Sequence, residues 1–183
     1  MDYFDELRPS FVYLLNERKN DKIIAVEIGN AWGDNAVRML RGLENMHLTL
    51  VDINIQSPLK VAMIEFKDRI KMMECCSTEA AKMFPDEHFD YIYIDANHTY
   101  DCVREDLIAW YPKAKPGAIF AGHDWSDGDV KKAVYEWAVK NKVRVYGVET
   151  IHPIGGMEAN QLQAMFGTGN TGFIYKTDWW MRK

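Results

Sequence analysis

The sequence has few cysteines and no long hydrophobic run, and each shortage excludes a class of protein. The 183 residues include three cysteines, Cys75, Cys76 and Cys102. An odd number with one adjacent pair makes a poor disulfide framework, and the spacing fits no zinc site. We therefore expect reduced thiols and a cytoplasmic protein. No apolar run approaches the roughly 18 residues that span a membrane, so no membrane partner is expected.

An excess of positive charge is also missing. Lys and Arg number 22 against 27 Asp and Glu, which gives a formal net charge of −5. Proteins that bind nucleic acid without sequence preference usually carry a basic face, so the charge argues against a nucleic-acid partner. The acidic segment at residues 1–6 lacks the basic and apolar regions of a secretory signal peptide.

Strand and helix patterns alternate along the whole chain, and no repeat or Pro/Gly-rich linker interrupts them. This regularity indicates one domain over residues 1–183. Strands are predicted at 22–28, 47–53, 70–74, 89–95, 118–121, 143–148 and 172–176. Helices are predicted at 4–18 (the core of an amino-terminal helical region, 1–20), 34–43, 58–66, from 77, at 100–111 and at 129–140. Such alternation predicts an α/β fold with a Rossmann-like, doubly wound, mostly parallel seven-stranded sheet.

The last two predicted strands have no helical pattern between them, which indicates an antiparallel hairpin at one sheet edge. The hairpin loop, 150–171, either closes over a substrate or is a neutral connection. Its polar and flexible residues are His152, Gly155, Gly156, Gln161, Gln163 and Met165. Trp179 and Trp180 are expected to pack on the sheet edge or on a partner, which leaves a homo-oligomer open. A turn is expected at Lys115–Gly117, and Ser77 is expected to be a helix N-cap.

A carboxylate and a glycine loop follow the first strand. Glu27 closes the strand, and Gly29, Asn30 and Gly33 form the loop before the first helix of the sheet. Glycine lets the backbone approach a ligand closely, and Asp52 near the end of strand two suits ribose hydroxyls. The order of these residues predicts a nucleotide-type cofactor site. A tight strand–helix turn with a solvated acid is the alternative interpretation.

Two further segments leave strands four and five. Asp95 and His98 follow the fourth strand, and His123 and Asp124 follow the fifth. If the strands are neighbours, two carboxylates and two imidazoles converge beside the cofactor. Carboxylates bind Mg²⁺ or Mn²⁺, and histidine is a natural general base near neutral pH. The alternative is that His98 caps a helix while His123 and Asp124 only hold loops together.

Single residues give weaker signals. Cys76 and Ser77 follow strand three, where they could contact an adenine or simply start a helix. Trp125 suits either the wall of an acceptor pocket or packing at the surface.

These segments resemble the class I S-adenosylmethionine-dependent methyltransferases over residues 22–176. The likeness is to the small-molecule O-methyltransferase branch, with an Asp-x-x-His-Ser/Thr-Tyr segment and a Gly-His-Asp segment. They appear here as Asp95–Tyr100 and Gly122–Asp124.

The resemblance implies S-adenosylmethionine as the cofactor, with Glu27 and Gly29 at its methionine part and Asp52 at its ribose. Cofactor contacts are implied for a set of loop and strand-end residues: Glu27, Gly29, Asn30, Gly33, Asp52, Ile53, Cys76, Ser77 and Asp95. Of these, Ile53, Cys76 and Ser77 would line the adenine, and Asp95 would lie near the methyl group.

The activity so implied is methylation of a small-molecule hydroxyl. His98 occupies the spacing at which related enzymes place a lysine base, and Asp95 and His123 are further catalytic candidates. Mg²⁺ or another divalent metal, bound by Asp95, His123 and Asp124, would lower the pKa of the acceptor.

Two rival functions remain at this stage. An NAD-dependent oxidoreductase would use a similar sheet, although the loop lacks the middle glycine of the dinucleotide motif and has Glu27 before it. A non-catalytic S-adenosylmethionine-binding protein is the other, although His98, His123 and Asp124 are all retained.

Overall fold

The computed structural model describes residues 14, 17–147 and 178–183. Its strands are β1 (Ile23–Ile28), β2 (Met46–Asp52), β3 (Ile70–Glu74), β4 (Phe89–Ile94), β5 (Ala114–Gly122), β6 (Val145–Gly147) and β7 (Trp179–Arg182). They form one seven-stranded sheet in the order β3-β2-β1-β4-β5-β7-β6. β1 to β5 pair in parallel, and β7 runs antiparallel to both β5 and β6. The predicted fold class, including its antiparallel edge, is confirmed.

Helices connect the parallel strands. They are α1 (Asp34–Gly42), α2 (Ser57–Ala62), α3 (Ser77–Lys82), α4 (Tyr100–Trp110) and α5 (Gly128–Asn141). Short 3₁₀ turns follow at Met63–Phe66 and Tyr111–Lys113. Of the predicted amino-terminal helix, Leu14, Glu17 and Arg18 are described and helical. The hairpin loop 150–171 and the predicted strand 172–176 lie outside the described residues.

Side chains alternate between two apolar layers, as the two-residue period of a strand requires. Ala25 and Tyr93 face a layer with α1 and α2, whereas Val26 and Ile92 face a layer with α3, α4 and α5. Both layers are buried, which explains why β1 and β4 read as nearly continuous apolar runs rather than as alternating patterns. Among the described residues, no helix combines the length and apolar character needed to cross a membrane.

The chain reverses its winding direction at β1, which lies between β2 and β4. The loops after β1 and β4 leave this switch point in opposite directions and open a crevice at the carboxyl ends of the strands. Open α/β sheets bind ligands in such crevices. Gly29 and Asp95 are the first residues beyond the two strands.

Two local predictions are wrong. The expected turn at Lys115–Gly117 lies inside β5, where the pairing register shifts: Phe89 pairs with Ala114, but Tyr91 pairs with Ile119. The extra residues remain attached to the sheet because the Gly117 amide donates to the Lys183 carbonyl at 2.7 Å.

Ser77 is likewise not an N-cap: Cys76 occupies the N-cap position of α3, without a side-chain capping hydrogen bond, and Ser77 is the first helical residue.

The carboxy-terminal tryptophans belong to β7, which lies between β5 and β6, so they are part of the sheet and do not pack on its edge. Trp179 is buried, and Trp180 stacks on Tyr146 of β6 with 4.3 Å between ring centroids. The sequence patterns did not predict β7, because four residues are too few to show a clear alternation of apolar and polar side chains. Both tryptophans were instead expected to pack on the sheet edge or on a partner.

Candidate functional site

The loop after β1 is held against the loop after β4. The Asp95 amide donates to the Ile28 carbonyl at 2.7 Å, and the Gly29 amide donates to Val51 at 2.9 Å. Gly29 has a φ of +81°, and a Cβ there would lie 2.1 Å from the Asp95 carbonyl oxygen. Only glycine permits this conformation and this approach at low cost. The first loop glycine therefore sets the distance between the two loops.

Asp52 closes the next part of the site. Its Oδ2 accepts a hydrogen bond from the backbone N–H of Asn30 at 2.8 Å, and its Oδ1 accepts one from the backbone N–H of Asn54 at 3.0 Å. The Asn30 side chain donates to the Glu27 carbonyl at 3.1 Å. Oδ1 of Asn30 accepts no hydrogen bond within the described part of the chain, although this side chain is buried. Buried polar atoms normally have a partner, so this oxygen points to a donor from a bound molecule.

A cavity of about 450 Å³ runs along the carboxyl ends of β1 to β4. Most of the predicted cofactor residues line it: Gly29, Asn30, Asp52, Ile53, Cys76, Ser77 and Asp95. Further lining residues are Ile28, Ala31, Val51, Cys75, Thr78, Ala96, Asn97, Cys102, Glu105 and Asp106. The lining combines apolar side chains with a few carboxylates, which is typical of a small-molecule site.

Glu27 and Gly33 are absent from the cavity wall. Glu27 is only 2% exposed, and its Oε1 accepts a hydrogen bond from the Asn35 side chain at 2.7 Å. This bond ties the end of β1 to the start of α1. Gly33 has a φ of +90°, and a Cβ there would lie 2.5 Å from Cδ1 of Leu59. Both residues shape the loop from behind in this structure.

The carboxylates and imidazoles after β4 and β5 converge because these strands are parallel neighbours. Nε2 of His98 lies 2.9 Å from Oδ2 of Asp124 and 3.6 Å from Oδ1 of Asp95. Nδ1 of His123 lies 3.1 Å from Oδ2 of Asp124 and 3.6 Å from Oδ1 of Asp95. Each carboxylate therefore contacts both imidazoles.

Backbone features hold this cluster in place. Asp124 has a φ of +57°, in the left-handed region that a non-glycine residue rarely occupies. The Trp179 indole donates to the His123 carbonyl at 3.1 Å, which attaches the β5 end to β7. Gly122 makes room for this indole, because a Cβ there would lie 2.4 Å from the Trp179 ring. Strained backbone at a cluster of polar side chains is typical of functional sites.

The surrounding carboxylates favour the charged form of His98. Its interaction with Asp95 is the largest cause, and the nearby charges of Asp124 and Asp127 add to it. Partial burial acts in the opposite direction. The net result raises the pKa of His98 above 6.5, so the ring takes up a proton readily near neutral pH.

The donor set could hold a divalent cation. One ligand atom each from Asp95, His98 and Asp124 lies within 4.8 Å of the others. The two carboxylates suit Mg²⁺ or Mn²⁺, and the imidazole suits softer divalent ions. His98, which was expected to be the base, thus belongs to the group that could hold a metal. His123, which was expected to be a metal ligand, contacts the two carboxylates of this group.

Two other predicted residues have definite positions. The Ser77 hydroxyl accepts the Trp110 indole N–H at 2.8 Å and donates to Asp106. Trp125 is buried in the apolar layer with α5, and the Lys131 ammonium lies 5.4 Å from its ring centroid. Trp125 therefore packs in the core in this structure and does not form the wall of an open acceptor pocket.

Sequence reasoning missed Asp106 as a cavity residue. The pattern did contain a signal: Val103, Asp106, Leu107 and Trp110 have the spacing of one helical face, and all four are buried. A carboxylate on an apolar helix face is expensive to bury, which marks it as a candidate for a specific contact.

Comparison with known proteins gives a family and a fold. A family model described as a methyltransferase domain matches residues 26–125. No curated protein sequence matches the chain.

Solved structures with similar folds include methyltransferases with different bound molecules. An O-methyltransferase from Bacillus cereus, solved with S-adenosylhomocysteine (SAH), is 12% identical with a TM-score of 0.69, and the match covers 94% of this chain and 78% of that one. The 1,6-didemethyltoxoflavin-N1-methyltransferase from Burkholderia thailandensis, with its substrate and S-adenosylhomocysteine, is 13% identical with a TM-score of 0.66, covering 100% and 79%. The MycE methyltransferase of the mycinamycin pathway, with Mg, SAH and mycinamycin VI, is 17% identical with a TM-score of 0.56, covering 72% and 42%.

Proposed function

Because the chain belongs to the methyltransferase-domain family, among the class I S-adenosylmethionine-dependent enzymes, we propose that it methylates a hydroxyl group of a small molecule. One observation carries the proposal. Asp95 belongs both to the wall of the cavity and to the cluster of carboxylates and imidazoles. A cofactor in the cavity would therefore adjoin the groups that can accept a proton.

The cavity residues fit S-adenosylmethionine, which when bound supplies an electrophilic methyl group. Each carboxylate oxygen has two lone pairs, so Asp52 can accept ribose hydroxyls beside its two backbone amides. Ile53 is 76% exposed and offers an apolar surface for adenine. Oδ1 of Asn30 can accept a hydrogen bond from the ammonium group of the methionine part. Glu27 and Gly33 support the loop from behind.

His98 is the proposed proton acceptor. With its Nε2–H donating to Asp124, the other ring nitrogen, Nδ1, takes the hydroxyl proton of the acceptor, and Asp95 and Asp124 orient the ring and stabilise the imidazolium. General bases contribute typically 10²–10⁴-fold to a rate. His123, which contacts the same two carboxylates, is the second histidine available for this step.

A divalent metal is a further part of the proposal. Asp95, His123 and Asp124 would hold it, and the bound ion would lower the pKa of the acceptor hydroxyl. His98 also belongs to the group that fits an ion, and its Nε2 cannot bind a metal while its N–H donates to Asp124. Mg in the MycE methyltransferase structure supports a metal in this fold.

A small molecule is the proposed acceptor rather than a nucleic acid. The net charge of −5 disfavours a long polyanion, and two of the similar structures contain 1,6-didemethyltoxoflavin and mycinamycin VI rather than a nucleic acid. Those structures include O- and N-methylating enzymes. The choice of oxygen here rests on the nearby carboxylates and histidines, which suit removal of a hydroxyl proton.

Calorimetric titration tests the cofactor. We expect S-adenosylmethionine and S-adenosylhomocysteine to bind saturably and NAD not to bind. Binding of NAD alone would favour the oxidoreductase alternative. Turnover with a panel of hydroxylated small molecules, with and without Mg²⁺, tests the reaction. Cofactor binding without turnover across the panel would favour the non-catalytic alternative.

A further inference from the structure

Asp106 is a buried carboxyl group in the cavity wall. It lies on α4, is 4% exposed, and faces Ser77 at the start of α3. The proposed methyl transfer uses the cluster of Asp95, His98, His123 and Asp124, to which Asp106 does not belong. The group therefore calls for a separate explanation.

One oxygen of Asp106 is already engaged. The Trp110 indole N–H donates to the Ser77 hydroxyl at 2.8 Å, so the hydroxyl proton is directed to Oδ1 of Asp106. Within the described ranges, Oδ2 of Asp106 accepts no hydrogen bond. The Ser77 contact fixes the orientation of the carboxyl group and leaves the second oxygen for the cavity.

A buried carboxyl group with a single hydrogen bond is unfavourable, since burial removes it from water without full compensation. Burial accordingly raises the pKa of Asp106 to about 6. A donor from a bound molecule would complete the hydrogen bonding of the second oxygen. Amino groups on a purine ring are such donors.

The position of Asp106 indicates which end of the cofactor would lie beside it. Asp95 and His98 mark the end where the methyl group must lie, after β4. Ser77 follows β3, which is separated from β4 by β2 and β1. The opposite end of the cofactor is its adenine, and Asp106 reaches this end through its contact with Ser77.

We infer that Oδ2 of Asp106 accepts a hydrogen bond from the exocyclic amine of the cofactor's adenine, and so selects adenine against 6-oxopurines. This inference rests on the proposed function, since it requires S-adenosylmethionine in the cavity. A 6-oxopurine would direct oxygen lone pairs at the carboxyl oxygen instead of a donor. Leaving a buried polar group unpaired costs enough to produce discrimination of about tenfold or more.

The test compares two ligands that differ only at this atom. S-adenosylhomocysteine and its deaminated analogue, S-inosylhomocysteine, are titrated calorimetrically into the wild-type protein and into Asp106→Asn. The wild type should bind the adenosyl ligand at least about tenfold more tightly. In Asp106→Asn, the amide can turn its NH₂ toward a 6-oxo group, so this ratio should fall towards one.

A matched control lies on the same helix. Asp101→Asn makes the same change at an exposed position outside the cavity wall and should keep the wild-type ratio. Equal weakening of both ligands in Asp106→Asn would mean a structural role and would overturn the inference. So would equal affinities in the wild type, a comparison that needs no variant to fold. Failure of both ligands to bind the wild type would overturn the inference together with the proposed function.

Discussion

Nε2 of His98 lies 2.9 Å from Oδ2 of Asp124, although the two residues follow different strands. The parallel pairing of β4 with β5 brings them together. This contact links the proposed base to a residue whose backbone is in the left-handed conformation. Asp124 is one of the carboxylates that raise the pKa of His98, together with Asp95 and Asp127, and it can be replaced by mutation.

We expect methyl transfer to be lost as pH falls through the raised pKa of His98, because a general base must be deprotonated. The acidic limb of kcat/KM should therefore lie above pH 6.5. Asp124→Asn removes a negative charge that favours the imidazolium, so the limb should move to lower pH. An unchanged limb in this variant would argue against His98 as the titrating group.

His98→Ala should lower kcat by about 10²–10⁴-fold if this ring takes the acceptor proton. Binding of S-adenosylhomocysteine should change little, because His98 does not line the cavity. Calorimetry and steady-state rates on the same preparation separate the two effects. His47→Ala, on β2 and outside the described site, is the matched control and should keep its activity.

The two histidines should differ in their effect on a metal. If Asp95, His123 and Asp124 hold the ion, His123→Ala should weaken Mn²⁺ binding while His98→Ala leaves it nearly unchanged. Electron paramagnetic resonance of Mn²⁺ titrated into each variant measures this directly. The reverse order would assign His98 to the metal, as the grouping of Asp95, His98 and Asp124 also allows, and would leave His123 as the base.

Alanine substitution at two glycines with similar φ angles distinguishes the cost of a strained backbone from the cost of a steric clash. Gly117 has a φ of +79° and open space where a Cβ would lie, so Gly117→Ala should cost about 1–2 kcal/mol of unfolding free energy. Gly29 has a φ of +81°, and its Cβ would meet the Asp95 backbone. Gly29→Ala should cost more and should also weaken cofactor binding. Urea unfolding of both variants gives the comparison, and equal losses would contradict it.

Asp106 should make the protein less stable as pH rises. Its pKa is about 6 in the folded chain against an ordinary value of 3.8, so the folded state holds the proton longer than the unfolded state. Stability should fall between these two values and then level off, by roughly 3 kcal/mol in total. Asp106→Asn should flatten this part of the curve. Urea unfolding midpoints measured from pH 4 to pH 7 test this prediction, and a midpoint that rises with pH would contradict it.

Periodicity was enough to predict the fold class because the central strands of the sheet are apolar and are joined by helices. β1 and β4 are buried on both faces, and such strands read directly as apolar runs. The turn predicted at Lys115–Gly117 failed for the opposite reason. Pro116 and Gly117 have the composition of a turn, but a long-range bond to Lys183 keeps them in β5. Local composition cannot report a partner that lies far along the chain.

The candidate site was predictable where a residue ends a strand or lies within a few positions after it. Asp52, Asp95, His98 and Asp124 all have such positions, and the structure brings them to one edge of the sheet. Asp106 lies in the middle of a helix, where no strand end draws attention to it. The bond of Ser77 to Asp106 rather than to its own helix likewise depends on how α3 packs against α4.

The place of β7 has a consequence for biosynthesis. It lies between β5 and β6, and Trp179 supports the His123 carbonyl from 56 positions further along the chain. While the ribosome is still making the intervening residues, the outer edge of β5 has no strand beside it. Unpaired edges promote association with other chains. Until β7 is made, the nascent protein therefore has both an unpaired edge at β5 and an unsupported cluster of carboxylates and imidazoles, and the addition of β7 completes both.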